Sequence, residues 1–192
     1  MMRILGIDPG LRCTGWGVIA VDGGRLQHIA NGAIQPKPTL DDASRLQIIF
    51  DGLCEVVAFY QPNQAAIEQI FVAKSAGSAL RLGMARGVGI LACGVNRLGV
   101  GEISARAVKK AVAGTGNADK KQIQDMVTRL LAVTAQNADA ADALAIAIAA
   151  SNEAGTAASV GLELGKGQAT GGLSTAIAAA LARDDAGNGG KT

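Results

Sequence analysis

The chain is organised around Arg3-Ile4-Leu5-Gly6-Ile7-Asp8-Pro9-Gly10, a short apolar run that ends on a carboxylate. Its length and apolar side chains predict a buried strand, which the following Pro-Gly pair stops with turn chemistry. Proline has no N–H to give to a strand ladder, so the strand ends at Asp8. Asp8 therefore lies at the edge of the predicted sheet. There it either caps the turn with its side chain, as aspartate often does, or belongs to a site.

A second apolar strand, Gln64 to Glu68, also ends on a carboxylate. A helix is predicted before it, from Asp41 to Tyr60, because apolar residues recur there on one helical face. A strand, a helix and a strand in this order form a crossover, which places the second strand parallel to the first and beside it. Asp8 and Glu68 are then expected at the same end of one sheet, an arrangement that independent turn caps explain less well.

The whole pattern predicts an α/β fold with a five-stranded mixed sheet flanked by helices. Cys13–Val21 and Arg25–Ile34, joined by a glycine turn, form an antiparallel meander with the first strand, and Val100–Ile103 is the fifth strand. Gly15 and Gly17 leave room for something to approach the backbone of the second strand. Further helices are predicted over Ser78–Leu98, Arg106–Ala113, Asp119–Leu131 and Ala138 to about Ala150.

Charge and composition divide the chain into a body and a tail. The net charge of +2 hides a basic middle, because residues 72–129 hold 10 Lys and Arg against 3 Asp and Glu. That local excess predicts a polyanionic partner beside the carboxylate site. Residues 1–150 are expected to form one domain, and residues 151–192, dominated by Gly, Ala, Ser and Thr, a mainly disordered tail.

Several classes of protein fit the sequence poorly. Three widely spaced cysteines suggest neither a disulfide framework nor a zinc site, and a reducing cytoplasm fits them best. The only histidine, His28, lies within a predicted strand, a poor place for Ser-His or Cys-His catalysis. The first strand starts too early for a signal peptide, and we expect no apolar run to be long enough to span a bilayer. We therefore expect a cytoplasmic protein without membrane contact.

A third acidic element, Asp139 and Asp142, lies near the start of the last predicted helix. Residues three apart on a helix share one face, and the neighbours of this pair are mostly Ala and Leu. The two aspartates could instead stabilise the helix N-terminus by interacting with the helix dipole, with Asn137 or Asp139 as the N-cap. That explanation accounts easily for one aspartate and less well for two in such close-packing surroundings.

Four carboxylates on three elements that can converge indicate a metal site. Unpaired, they would repel one another and raise their pKa values, and divalent cations remove that repulsion. Oxygen ligands alone suit Mg²⁺ or Mn²⁺. Two such ions stabilise the attacking and leaving oxygens of a phosphodiester displacement and activate water without a histidine. With a basic segment alongside, metal-dependent phosphodiester hydrolysis uses all these features.

Four spaced motifs resemble those of the RuvC family of Holliday-junction resolvases, the crossover junction endodeoxyribonucleases. They are Gly6-Ile7-Asp8-Pro9-Gly10, Ala66-Ile67-Glu68-Gln69-Ile70-Phe71, Ala85-Arg86-Gly87 and Asp139-Ala140-Ala141-Asp142-Ala143-Leu144-Ala145. They follow in order from Arg3 to about Ala150. The resemblance implies an RNase H-like fold and two symmetric Mg²⁺-dependent nicks in a four-way junction, during homologous recombination and DNA repair.

The same resemblance implies the site and the partners. Asp8, Glu68, Asp139 and Asp142 would be the catalytic metal ligands, holding two Mg²⁺ ions per site, for which Mn²⁺ would substitute. A homodimer suits two equivalent cuts, and the helix Ser78–Leu98 would help to form it. A further partner implied only by the resemblance is the RuvA–RuvB branch-migration complex.

Eight residues are candidates for DNA contact: Phe71, Lys74, Arg81, Arg86, Lys109, Lys110, Lys120 and Lys121. Phe71 matches a family aromatic that meets bases near the junction centre, although its apolar neighbours would also suit a core residue. Lys109 and Lys120 match family lysines near the site. Each is followed by a second lysine, and the choice within each pair stays open. Arg86 is either a phosphate contact or a structural ion-pair partner.

Three other functions stay open. An actin-like ATPase or sugar kinase also begins with a strand, an aspartate and a glycine-rich hairpin, but it needs a second half to close over its nucleotide. A resolvase-like binding module would hold branched DNA without cutting it, which a lost carboxylate would favour; all four are present. A different RNase H-like nuclease would share the metal site and differ in substrate.

Overall fold

The computed structural model describes residues 1–69 and 76–160, the last eight of them by backbone alone. The elements in chain order are β1 Met2–Asp8, β2 Thr14–Asp22, β3 Arg25–Ile34, α1 Asp42–Tyr60, β4 Gln64–Glu68, α2 Ala76–Val95, β5 Val100–Ile103, α3 Ala105–Ala113, α4 Lys120–Leu131 and α5 Ala138–Val160. Every predicted strand and helix is present. Two DNA-contact candidates, Phe71 and Lys74, lie outside the described residues, as does the predicted tail beyond residue 160.

Helix α5 continues to Val160, ten residues past its predicted end. Residues 151–160 contain no proline and three alanines, which are strong helix formers, and Gly155 weakens the helix without ending it. The Ser151 hydroxyl, which is buried, donates a hydrogen bond to the Ile148 carbonyl at 2.7 Å. A hydroxyl that bonds back to the preceding turn fits inside a helix without needing another partner. The division of the chain near residue 150 stays a prediction.

The sheet has the order β3-β2-β1-β4-β5, with β1 at its centre. Strands β1, β2 and β3 form the antiparallel meander, whereas β4 runs parallel to β1 and β5 runs parallel to β4. Gly6 pairs with Ala66 and Ile7 with Ile67, so the next step of this register sets Asp8 beside Glu68. The predicted mixed sheet and the adjacency of the two acidic strand ends are confirmed.

Helices cover both faces of this sheet. Because side chains alternate along a strand, β1 contributes to two separate cores. Ile4 belongs to the core formed with α3, α4 and α5, whereas Leu5 and Ile7 belong to the core formed with α1 and α2. Asp8 has the parity of Ile4, and Glu68 has that of Ala66, which also lies in the α5 core. Both carboxylates therefore lie on the α5 side.

Helix α5 packs directly on the backbone of β1 and β2. A Cβ atom on Gly6 would lie 2.0 Å from the carbonyl oxygen of Ala143, and one on Gly15 would lie 2.1 Å from that of Asp139. On Gly17 it would lie 2.7 Å from the Leu144 side chain. What approaches the β2 backbone at these glycines is α5. This close approach sets the first turn of α5 level with the end of β1.

Helix α2 corrects the expectation that no apolar segment is long enough to span a bilayer. Within the described part of the chain it is the one helix long and apolar enough to cross a bilayer, with a mean hydropathy of 1.3. Length and composition alone are weak support for a span, because core helices pass the same test. Here Ala85, Gly89, Ala92 and Cys93 of α2 are buried within the fold. Only 22% of its most apolar 18-residue stretch is buried, so packing on α1 and the sheet covers one narrow face of α2 and leaves the rest of the helix outside the core.

We predict that Gly6→Ala destabilises the protein by about 3 kcal/mol or more, because the added methyl group meets backbone atoms that cannot move independently. The matched control is Gly77→Ala, in the exposed first turn of α2, where a Cβ atom would meet none of the described atoms within 4 Å. That change should raise stability by about 0.5–1 kcal/mol, since alanine loses less entropy in a helix. Urea unfolding measures both. Equal stabilities for the two variants would contradict the packing.

Candidate active site

The ends of β1 and β4 open on a cavity of about 210 Å³. Asp8 and Glu68 line it from the sheet, and Asp142 lines it from the first turns of α5. Lys109 and Lys120 complete its charged lining from α3 and α4. The remaining lining side chains are apolar: Ala105, Val108, Ile123, Ala145 and Ile146. Three of the four predicted carboxylates thus meet in one small, partly apolar space.

The start of α5 settles which side chain caps it. Asn137 Oδ1 accepts a hydrogen bond from the Ala140 N–H at 2.8 Å, and the Asn137 carbonyl accepts one from Ala141. Asn137 is therefore the cap, of the two candidates that the sequence left open. Capping does not explain the aspartates that follow. Asp142 points into the cavity, whereas Asp139 lines a neighbouring groove.

The carboxylates carry more negative charge than their surroundings balance. Burial is the largest cause that raises the pKa of Asp8 to about 7, and the charges of the other three carboxylates also raise it. Burial likewise raises the pKa of Glu68 and that of Asp142. The charge of Asp139 raises the pKa of both Asp8 and Asp142. Asp139 therefore interacts electrostatically with the cluster, although it lies at its border.

Lys120 is the nearest cation to the cluster. Its Nζ lies 2.6 Å from Asp142 Oδ2 in an ion pair that remains partly exposed. The lysine is the first residue of α4, whose cap Asp119 forms a capping box with Gln122 and so holds the helix start in place. Lys109 is close enough to lower the pKa of Glu68. Both lysines only partly offset the effect of burial on the carboxylates.

The structure also separates the members of each lysine pair. Lys109 and Lys120 line the cavity, and Lys110 and Lys121 do not. Helical spacing was a usable signal for this choice. Lys120 lies three residues before the buried Ile123, whereas the residue three after Lys121 is the polar Gln124.

Arg86 is held by protein groups. Its Nη2 lies 2.7 Å from Glu102 Oε1, and its Nε donates to the Glu68 carbonyl at 3.2 Å. These contacts tie β4 to β5 at the end that carries Glu68, which supports the ion-pair role that the sequence left open. A DNA contact by Arg86 stays a prediction. Arg81 is exposed and lines the groove beside Asp139.

Sequence reasoning missed three further cations, Arg12, Lys37 and Arg45, which line that same groove. They lie in separate segments of residues 1–71, where acidic residues outnumber basic ones, 7 against 5. Counting charge along the chain therefore hid them. Cys13 also lines the groove, and burial followed by a hydrogen bond to Asp139 raises the pKa of its thiol to about 11. No motif in the sequence signals this cluster.

A mixed five-stranded sheet in this order, with acidic side chains at two central strand ends and at the start of the last helix, defines an RNase H-like nuclease. Residues 4–150 match the protein family described as Crossover junction endodeoxyribonuclease RuvC. The chain belongs to that family, which confirms the predicted family and fold. The protein is therefore an endodeoxyribonuclease by family.

Individual relatives agree with this assignment. The chain is 51% identical over 148 residues to the RuvC protein of Zymomonas mobilis, spanning 77% of this chain and 89% of the relative. It is 53% identical over 156 residues to that of Geobacter metallireducens, spanning 80% and 94%. The solved structure of T. thermophilus RuvC in complex with Holliday junction substrate is similar with a TM-score of 0.76 and 29% identity, covering 80% of this chain and 95% of that one.

The cavity suits the divalent metal ions that RuvC-family nucleases generally use. Its donors are carboxylate oxygens, the ligands that Mg²⁺ and Mn²⁺ prefer, and burial first, then the charges of neighbouring carboxylates, raises their pKa values. Within residues 1–69 and 76–160, however, no three His, Cys, Asp or Glu side chains are placed so that they could hold one metal ion. Lys120 pairs with Asp142 there instead. The donor chemistry fits a metal, although the side chains are not arranged around one.

We predict that Asp8→Asn stabilises the metal-free protein at high pH. The carboxyl has a pKa of about 7 when folded against 3.8 ordinarily, so the folded state binds its proton more tightly. Wild-type stability should therefore fall as pH rises from about 4 to 7, a loss that asparagine avoids. The gain should be near zero below pH 4 and reach at most about 4 kcal/mol above pH 7.

Urea unfolding with a chelator at several pH values measures this gain. Asp51→Asn, which removes one exposed carboxylate of α1, controls for the loss of a negative charge. A gain for Asp8→Asn that is the same at pH 4 and pH 8 would show that Asp8 is not strained by its neighbours.

Proposed function

We propose that this chain resolves Holliday junctions by two symmetric, Mg²⁺-dependent phosphodiester nicks, in homologous recombination and DNA repair. The observation that carries the proposal is the meeting of Asp8, Glu68 and Asp142 in one cavity with two lysines at its wall. The T. thermophilus relative, solved with a Holliday junction substrate, supports four-way junction DNA as the partner. A cytoplasmic location and contact with the RuvA–RuvB complex belong to the proposal through family resemblance alone.

In this proposal Asp8, Glu68, Asp139 and Asp142 hold two Mg²⁺ ions, for which Mn²⁺ substitutes. When bound, such ions lower the pKa of water and stabilise the attacking and leaving oxygens. The chain contributes rigid placement, because Asp8 and Glu68 stand at the ends of paired central strands. The apolar side chains of the cavity exclude water and strengthen the electrostatic interactions inside it. No histidine takes part.

Lys120 and Lys109 have a separate role. In the free protein the Lys120 ammonium balances Asp142, at 2.6 Å. We infer that the same ammonium binds a phosphate oxygen of the DNA once cations satisfy the carboxylates, since lysine is a flexible point charge with several donors. Lys109 contributes a second positive charge on the α3 side of the cavity.

A homodimer would supply two equivalent sites for two cuts. The exposed face of α2 supports it, because Leu80, Leu91 and Val95 are 67%, 55% and 62% exposed. Gly83, Gly87 and Gly94 lie on the same helix, and a Cβ atom on any of them would meet none of the described atoms within 4 Å. Small and apolar residues spaced three or four apart form a stripe that admits a second helix closely. A two-fold axis at α2 would place the same stripe on both subunits.

We predict that Asp8→Asn reduces junction nicking by at least about 100-fold, a rise of about 2.7 kcal/mol in activation free energy, because a central metal-binding charge is lost. Binding should persist, since phosphate contacts by lysine and arginine dominate affinity. The measurement is single-turnover nicking of a synthetic four-way junction with a mobile core in Mg²⁺. Linear duplex and the Asp51→Asn variant are the controls.

Each result distinguishes one class of protein. Paired symmetric nicks in the junction alone, lost in Asp8→Asn, support a resolvase. Cutting of linear duplex or RNA–DNA hybrid in preference to the junction would indicate a different RNase H-like nuclease. Tight junction binding by the wild type without nicking in Mg²⁺ or Mn²⁺ would indicate a binding module.

We also predict that Lys120→Met reduces the nicking rate at least about tenfold more than Lys121→Met does, because only Lys120 lines the cavity. The loss should be larger at low pH, since Lys120 lowers the pKa of Asp142 and its removal favours the protonated carboxyl. Rates measured from pH 6 to 9 in limiting Mg²⁺, where Lys120 still pairs with Asp142 in the metal-free fraction, test both statements. Equal losses for the two variants would assign both lysines to general DNA attraction.

A further inference from the structure

A second, larger cavity of about 920 Å³ lies on the other side of Asp139. Its walls come from the β1–β2 connection, the β3–α1 connection, helix α1 and the start of α2. Four cationic side chains, Arg12, Lys37, Arg45 and Arg81, line it, and Asp139 is the only carboxylate among the described residues of its lining. We call this cavity the arginine groove.

Three of the four cations of the arginine groove are available to a ligand. Among the described residues, Arg12, Lys37 and Arg81 make no ion pair, and all three are exposed. Arg45 is more firmly held, since its Nη2 donates to the Leu11 carbonyl at 3.0 Å and its Nη1 lies 3.6 Å from Asp42. Its Nε is buried and finds no hydrogen-bond acceptor within the described part of the chain.

The arginine groove adjoins the carboxylate cluster at Asp139. Asp139 lines the groove, and Asp142, three residues further along α5, lines the smaller cavity with Asp8. The two cavities are otherwise built by different elements, since α3 and α4 line the smaller one and α1 and α2 the groove. Basic side chains therefore approach the carboxylates from two directions.

An endonuclease cuts inside a strand, so the backbone must leave its site in both directions. Lys109 and Lys120 can attract it on the α3–α4 side. We propose that the arginine groove binds the sugar–phosphate backbone of the same DNA strand where it leaves the carboxylates on the α1–α2 side. The inference rests on the proposed nuclease function and assigns Arg12, Lys37 and Arg45 to DNA binding beside Arg81.

The chemistry of the groove favours a polynucleotide over other occupants. Guanidinium groups bind phosphate oxygens through two parallel hydrogen bonds, and several separate cations suit a row of phosphates. Its large, open volume exceeds what a single phosphate ion needs. An acidic peptide would satisfy the same charges, but its place beside a phosphodiester-cutting site favours the strand being cut.

The test compares two double variants that each remove two positive charges. Arg12→Gln/Lys37→Gln alters the arginine groove, and Arg25→Gln/Arg129→Gln alters exposed arginines that line neither cavity. Junction affinity is measured with a chelator at 50 to 200 mM salt. Two lost phosphate contacts should lower the slope of log K against log salt by about 2. Between 50 and 200 mM salt the affinity of both proteins falls, and the factor by which it falls should be roughly tenfold smaller for the groove variant than for the wild type.

The control variant should keep the wild-type slope. Equal slopes for wild type and groove variant would overturn the proposal and leave an acidic protein as the alternative occupant. Neutral methylphosphonate linkages, moved stepwise along the strand from the cut, add a second readout. At one or more positions the neutral linkages should weaken junction binding by the wild type but not by the groove variant. The absence of any such position would also overturn the proposal.

The outcome distinguishes this inference from the proposed function. If the wild type nicks the junction and the groove variant binds and cuts as the wild type does, only the arginine groove is wrong. If the wild type neither binds nor cuts the junction, the nuclease proposal itself has failed. Circular dichroism of each variant confirms that it is folded, and substitutions of exposed side chains are expected to preserve the fold.

Discussion

The site depends on direct contact between helix α5 and the backbone of β1 and β2. A helix normally stands off from a sheet by the length of two layers of side chains. Here Gly6 and Gly15 have none, and α5 presents mostly alanine, so the carbonyl oxygens of Ala143 and Asp139 come within contact of the strands. The first turn of α5 is thereby brought level with the end of β1, and Asp142 joins Asp8 and Glu68. Any side chain on those glycines would move the helix and separate the carboxylates.

Gathering these carboxylates opposes folding. Burial and mutual repulsion raise the pKa of Asp8 to about 7, and Lys120 compensates only part of the excess charge. The surrounding structure withstands this because two hydrophobic cores, one on each face of the sheet, hold the strand ends in place. Strain of this kind is common at functional sites, where stability is given up for a charge arrangement that a ligand relieves. The same imbalance that weakens the free protein favours cations and phosphate.

Charge along the sequence and charge in space are distributed differently. The basic segment 72–129 contributes Lys109 and Lys120 to one side of the carboxylates. The acidic segment 1–71 contributes three of the four cations of the arginine groove, because its basic residues converge while most of its acidic ones lie elsewhere. A binding surface is defined by convergence, which a charge count over consecutive residues does not report.

The sequence by itself determined the strands and helices, their order, and the adjacency of Asp8 and Glu68. These follow from local rules: proline ends a strand, apolar periodicity marks a helix, and a crossover sets two strands parallel. Four spaced motifs further identified the family. Only the tertiary structure decided that Arg86 pairs with Glu102, that Asp139 borders the arginine groove, and that Arg12, Lys37 and Arg45 converge there. These depend on the depth at which α5 meets the sheet and on contacts between segments distant in the chain, which no local pattern encodes.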